Sequence, residues 1–138
     1  MIRRVLPLLI VTAALAGCEP HYTALTAPPP FTKAELCDGH EACGGGETIT
    51  VTKGIALAFE CKDPQGGGCK NAKAKVKDPA IATVFDGYLD TLSSSYGYPA
   101  AVAGRTAFVI VGKSVGTTTL TVTSAAGATD FTVAVEAF

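Results

Sequence analysis

The chain has 138 residues, with 11 Lys and Arg against 12 Asp and Glu and a formal net charge of −1. That balance leaves no basic excess and speaks against nucleic-acid binding, which draws on clustered positive charge. Two histidines give a His-based catalytic site little to work with, and five cysteines, an odd number, set one apart from any set of pairs. The chain opens "MIRRVLPLLIVTAALAGC". Arg3 and Arg4 precede a 13-residue uncharged run over 5–17. A membrane-spanning helix needs about 20 such residues. A cationic leader and a short apolar stretch are instead the marks of a secretory signal. Two arginines also occur in signals for folded-protein export, but little else of such a signal is present.

The end of the run, "LAGC" at 15–18, resembles the lipobox of bacterial lipoproteins: Leu15, the small residues Ala16 and Gly17, then Cys18. The resemblance covers the first 18 residues. It implies cleavage before Cys18, a diacylglycerol on its sulfur and a third acyl chain on the new amino group. One acyl chain binds a membrane only reversibly, at about 0.8 kcal/mol per buried CH₂, and three hold it almost permanently. The alternative is an ordinary secreted protein with a chance cysteine at the cleavage site. A mature chain starting at Cys18 has 121 residues and, with Arg3 and Arg4 removed, a net charge of −3. Glu19 stands where Asp often marks inner-membrane retention, so the resemblance favours the outer membrane.

Residues 19–36, "EPHYTALTAPPPFTKAEL", carry four prolines and no apolar period. With Cys18 they read as a lipidated Pro-rich tether over 18–36, partly polyproline II. At roughly 3.1 Å per residue it would reach about 50 Å, clear of the lipid headgroups. His21 reads as solvated there.

Residues 37–46 form a Cys- and Gly-rich knot. With Cys18 acylated, Cys37, Cys43, Cys61 and Cys69 remain in an oxidising compartment, and two disulfides are expected. Proximity favours Cys37–Cys43 and Cys61–Cys69, though four cysteines allow three connectivities. The sharper reading of "CDGHEAC" is a metal or ligand site built from Cys37, Asp38, His40, Glu41 and Cys43. Against it, the cysteine spacing is not that of a zinc knuckle and no second histidine is near. The expectation is therefore disulfides and no metal or other cofactor.

The globular part runs over 47–138, enough for one small core. Its pattern is period two almost throughout, with β-branched enrichment. "TITVT" (48–52) sets Ile49 and Val51 against threonines, and Gly54 breaks the run. "IALAFEC" (55–61) puts Ile55, Leu57, Phe59 and Cys61 on one face. "AKAKVK" (72–77) has one apolar and one lysine face, which suits an edge strand. "AIATV" (80–84) is a short strand. "TAFVIV" (106–111) is apolar on both faces and central. "TTTLTVTS" (117–124) and "TDFTVAVEA" (129–137) bracket a hairpin turn, with Leu120, Val122, Phe131, Val133 and Val135 facing in. About seven strands and no 3.6-residue period after the leader predict an all-β chain, an immunoglobulin-like antiparallel β-sandwich.

"ITVTKGIALAF", "VKDPAIATV" and "VGTTTLTVTSAAGATDFTVAV" together resemble bacterial immunoglobulin-like domains of group 2 (BIG2) over roughly 48–138. The resemblance implies a sandwich used as a spacer, adhesive or surface module, and it carries no catalytic residues. The long 85–105 segment and the 61–69 cysteine pair depart from the family pattern.

Other motifs are weak. "GKS" (112–114) lacks the earlier glycine of a phosphate loop and a helix to follow it, and Gly112 and Gly116 read instead as turn residues flanking "KSV". Asp86 and Asp90 lack the dense oxygen spacing of a calcium loop. The segment 85–105 carries Tyr88, Tyr96 and Tyr98 among Ser and Gly, a good contact chemistry, and they are the candidate partner-binding residues. The competing reading folds that loop over the end of the sandwich. The expectation is a non-enzymatic cell-envelope lipoprotein, joined to the membrane through Cys18, with an envelope or surface protein as partner.

Overall fold

A computed structural model describes residues 19–39, 45–65, 67–89 and 105–138. Among these are nine strands: β1 (His21–Ala24), β2 (Ala34–Asp38), β3 (Glu47–Thr52), β4 (Ala56–Lys62), β5 (Lys73–Val76), β6 (Ala82–Leu89), β7 (Arg105–Gly112), β8 (Gly116–Ser124) and β9 (Gly127–Glu136). They form two sheets, β1-β4-β7-β6 and β2-β3-β9-β8-β5. Among the described residues no helix is long and apolar enough to cross a membrane.

The alternating strands meet as the period-two pattern requires. Ile49, Val51, Leu57, Phe59, Phe108, Ile110, Leu120, Val122, Phe131 and Val133 are fully buried between the sheets. Phe59 bridges the layer, its ring centroid 5.6 Å from Phe108 and 6.4 Å from Phe131. Lys73 and Lys75 alternate with Val76, which is buried, and β5 pairs only with β8, so the lysine strand is an edge as expected. β7 is central, flanked by β4 and β6. The β8–β9 hairpin closes through Ser124 and Gly127, and Gly127 has a φ of +137° that a side chain would strain.

Four expectations need correction. The 18–36 tether is not a tether: β1 pairs antiparallel with β4, and β2 with β3. Tyr22, only 4% exposed, packs edge-on against Phe131 with centroids 4.9 Å apart. The 25–33 link carries the chain from the edge of one sheet to the edge of the other. Thr32 turns on the Pro29 carbonyl, and Thr52 N–H donates to the Lys33 carbonyl at 3.0 Å. The boundary at 47 therefore falls inside the sandwich, because β2 from the tether and knot pairs along β3. The strand read at 80–84 extends to Leu89, pairing with β7 as far as Arg105. Finally, the pairing is not wholly antiparallel. β3 and β9 run parallel, Ile49 beside Val133 and Val51 beside Val135. A parallel pair cannot close through a hairpin, so the intervening strands β4 to β8 serve as its crossover.

The Cys61–Cys69 disulfide is present, with the two Cα atoms 5.4 Å apart. It ties β4 to the connection that follows it, inside which Asp63 Oδ1 accepts from the N–H groups of Gln65 and Gly67 at 2.9 and 3.0 Å. Closing a loop of sequence separation 8 stabilises by about 2–3 kcal/mol on the chain-entropy model. The double variant Cys61→Ala/Cys69→Ala should lose about that much in denaturant unfolding. A loss below about 0.5 kcal/mol would show that the hydrogen bonds alone hold the loop.

Candidate functional site

One pole of the sandwich carries a cleft next to the start of β1 and the end of β2. Glu19 and Pro20 enter there, and with Tyr22, Asp38, Glu47 and the 126–130 stretch they line a polar cleft of about 450 Å³. The β4–β5 connection joins the same pole, where Ala125 N–H donates to the Lys70 carbonyl at 3.0 Å. His21, on β1, has Nδ1 3.8 Å from Asp38 Oδ2 and is about half exposed. Burial pushes the Tyr22 phenol above its ordinary value and the charge of Glu47 adds to this, with the neighbouring Thr129 side chain opposing it; the buried hydroxyl has no hydrogen-bond partner among the described residues.

Cys18, Cys43, His40, Glu41, Asp90, Tyr96 and Tyr98 lie outside the described residues. Cys37 is disulfide-bonded, with its partner outside the described residues. That removes its thiolate from the metal or ligand site read in "CDGHEAC", since the thiolate is the ligating form. Among the described residues no group of three or more His, Cys, Asp or Glu is placed to hold a metal ion. Asp86 is an exposed residue of β6, not part of a loop. Tyr88 is also a strand residue, its backbone paired with Thr106. The connection that carries Tyr96 and Tyr98 thus leaves β6 at Leu89 and enters β7 at Arg105.

"GKS" spans the last residue of β7, Gly112, and the start of the β7–β8 turn. Lys113 Nζ donates to the Pro79 carbonyl at 2.9 Å, Ser114 N–H to the Ile81 carbonyl at 3.1 Å, and a strand follows, which is no phosphate cradle. The buried carboxylate of Glu60 is paired with Lys62 Nζ at 2.7 Å.

Sequence reasoning missed one surface. Along the outer face of β5 and β8 runs an open trough of about 880 Å³, lined by Lys73, Lys75 and Lys77 and by Thr119, Thr121 and Thr123. The alternation of each strand was legible, but their register was not.

No protein-family model matches the chain. No curated protein matches it either. Among solved structures it is similar to parts of the surface-layer protein SbsC. Against domains 4 and 5 the identity is 18% with a TM-score of 0.44, over 84% of this chain and 54% of that one. Against domains 1–6 the identity is 22% with a TM-score of 0.44, over 66% of this chain and 12% of that one. The chain therefore spans about half or less of these structures.

Proposed function

We propose that this chain is a lipid-anchored, non-enzymatic module of the bacterial cell envelope, held by acylated Cys18 and working through the surface of its sandwich in structural, adhesive or protein-binding contacts. The observation that carries the reading is "LAGC", which closes a short apolar run behind a cationic leader. The BIG2 resemblance supports it, since the stretch concerned supplies β3 to β9. Glu19 after the cysteine favours the outer membrane by the same lipoprotein resemblance. Pairing Cys37 with Cys43 leaves Cys18 for the lipid.

The fold changes how such an anchor would work. Only Glu19 and Pro20 separate Cys18 from β1. An acylated Cys18 would bring the pole bearing Glu19, Asp38 and Glu47 down to the headgroups, with no 50 Å spacer. β6 and β7 deliver the ends of the tyrosine-bearing connection to this same pole.

The test is fractionation of the natural protein and Cys18→Ser. The natural chain should pellet with membranes and require detergent, and its N-terminal peptide should carry three acyl chains by mass spectrometry. The variant should be soluble and still folded. Membrane retention of the variant, or a Cys18–Cys37 disulfide in the peptide map, would overturn the anchor.

A further inference from the structure

We propose that the lysine–threonine trough on β5 and β8 is a binding groove for a linear acidic polysaccharide, a glycan carrying carboxylate or phosphate groups at regular intervals. Pairing sets the side chains in rows across the sheet: Lys73 beside Thr123, and Lys75 beside Thr121. Lys77 continues the series, its N–H bonded to the Thr119 carbonyl at 2.9 Å. Alternate residues of a strand stand about 6.8 Å apart on one face. The three lysines thus stand at about that backbone spacing, beside a row of threonines on the neighbouring strand.

The hollow does not stop at Lys77. A second one, of about 470 Å³, shares Lys77 and Thr119 with the first, reaches Thr117 and is also lined by Asp78, whose Oδ1 accepts from the Ala80 N–H at 2.9 Å. Together they follow β8 from Thr123 to Thr117, about 20 Å of strand. An elongated groove of this kind suits a polymer better than a single small ion.

The charge is available. Lys33 pairs with Glu136, Lys62 with Glu60, and Lys113 with the Pro79 carbonyl. Lys73, Lys75 and Lys77 make no ion pair among the described residues. The one carboxylate lining the larger hollow, Asp130, accepts the Thr121 hydroxyl at 2.6 Å. Three lysines with no ion pair among the described residues, on a chain of net charge −1, concentrate positive potential on one face, which raises the local concentration of a polyanion.

The chemistry narrows the occupant. Edge lysines discourage the addition of a further β-strand, which argues against an extended peptide. The lining has no aromatic ring, whereas single-stranded nucleic acid is gripped by aromatic stacking platforms. Threonine hydroxyls donate to and accept from sugar hydroxyls, while the ammonium groups pair with the acidic substituents. Protection of the edge needs the lysines alone. The continuous hydroxyl-lined groove beside them is the part that a ligand explains.

Titration of the full mature chain, kept in detergent, with polygalacturonate at low salt tests the assignment. Binding should be saturable and should weaken as salt rises, and neutral dextran should not bind. Lys73→Gln/Lys75→Gln/Lys77→Gln, on an exposed edge, should weaken binding at least tenfold. Lys33→Gln/Lys53→Gln/Lys113→Gln makes the same change in net charge elsewhere and should leave it within twofold. Thr119→Val/Thr121→Val should weaken polygalacturonate binding severalfold with no loss of charge. Absence of polygalacturonate binding, equal loss in the two lysine triples, or equally tight binding of oligo-dT would each overturn it.

Discussion

Replacing Tyr22 by alanine should destabilise the protein by about 3–5 kcal/mol, the range for truncating a buried aromatic. Tyr22 is 4% exposed and packs edge-on against Phe131, with Phe59 at a centroid distance of 6.4 Å. Domains of this size have only about 5–15 kcal/mol in total, so the variant should lose more than about 10 °C in Tm. A tyrosine in a solvated tether would change stability by no more than about 0.5 kcal/mol, so the measurement separates strand from tether. Tyr22→Phe keeps the ring and should retain most of the stability. The same residue sets an alkaline limit. Its folded-state pKa is raised, chiefly by burial. The phenol therefore contributes its full share below the unfolded value of about 10, and that share is lost as pH rises through the higher folded value. Tyr22→Phe should flatten the fall in stability above pH ~10. An unchanged alkaline profile would place the sensitivity elsewhere.

Gly112→Ala should cost about 1–3 kcal/mol, the usual effect of overpacking, although the substitution adds a single methyl group. Gly112 ends β7 where the two sheets come together. A Cβ there would stand 2.9 Å from Val135 Cγ1, 3.0 Å from Val51 Cγ2 and 3.2 Å from the Thr52 carbonyl. The valines belong to β9 and β3, the parallel pair of the opposite sheet. Removing one obstruction should relieve the strain, so Gly112→Ala/Val135→Ala should be more stable than the sum of the single changes predicts. Strict additivity in denaturant unfolding would show that the strain lies in the backbone. Gly112 reads in the sequence as a turn residue before "KSV". It is a strand residue that must be glycine because another sheet crosses within van der Waals distance.

How much of this could be read in advance divides by the length and position of each element. Ile49, Val51, Leu57, Phe59, Leu120, Val122, Phe131, Val133 and Val135 were legible as core because their strands are long enough to show the two-residue period. The Cys61–Cys69 bridge and the β8–β9 hairpin were legible because each joins residues close in the chain. β1 was not, since four residues with one buried side chain display no period, and the prolines nearby point to an extended, unpaired segment. Proline is tolerated at sheet edges, where a missing N–H leaves no ladder position empty, and β1 and β2 are both edges.

Local pattern therefore determined that the chain is all-β and which side chains of the longer strands face inward. Tertiary structure decided that the segment after Cys18 is built into both sheets, that β3 and β9 close the fold side by side, and that Gly112 must lack a side chain. It also decided that Lys73 and Lys75 of β5 stand in register with Thr123 and Thr121 of β8, with Lys77 just beyond the strand beside Thr119. Side-chain alternation is a property of a single strand. Register, closure and the approach of two sheets depend on residues tens of positions apart, which no local pattern records.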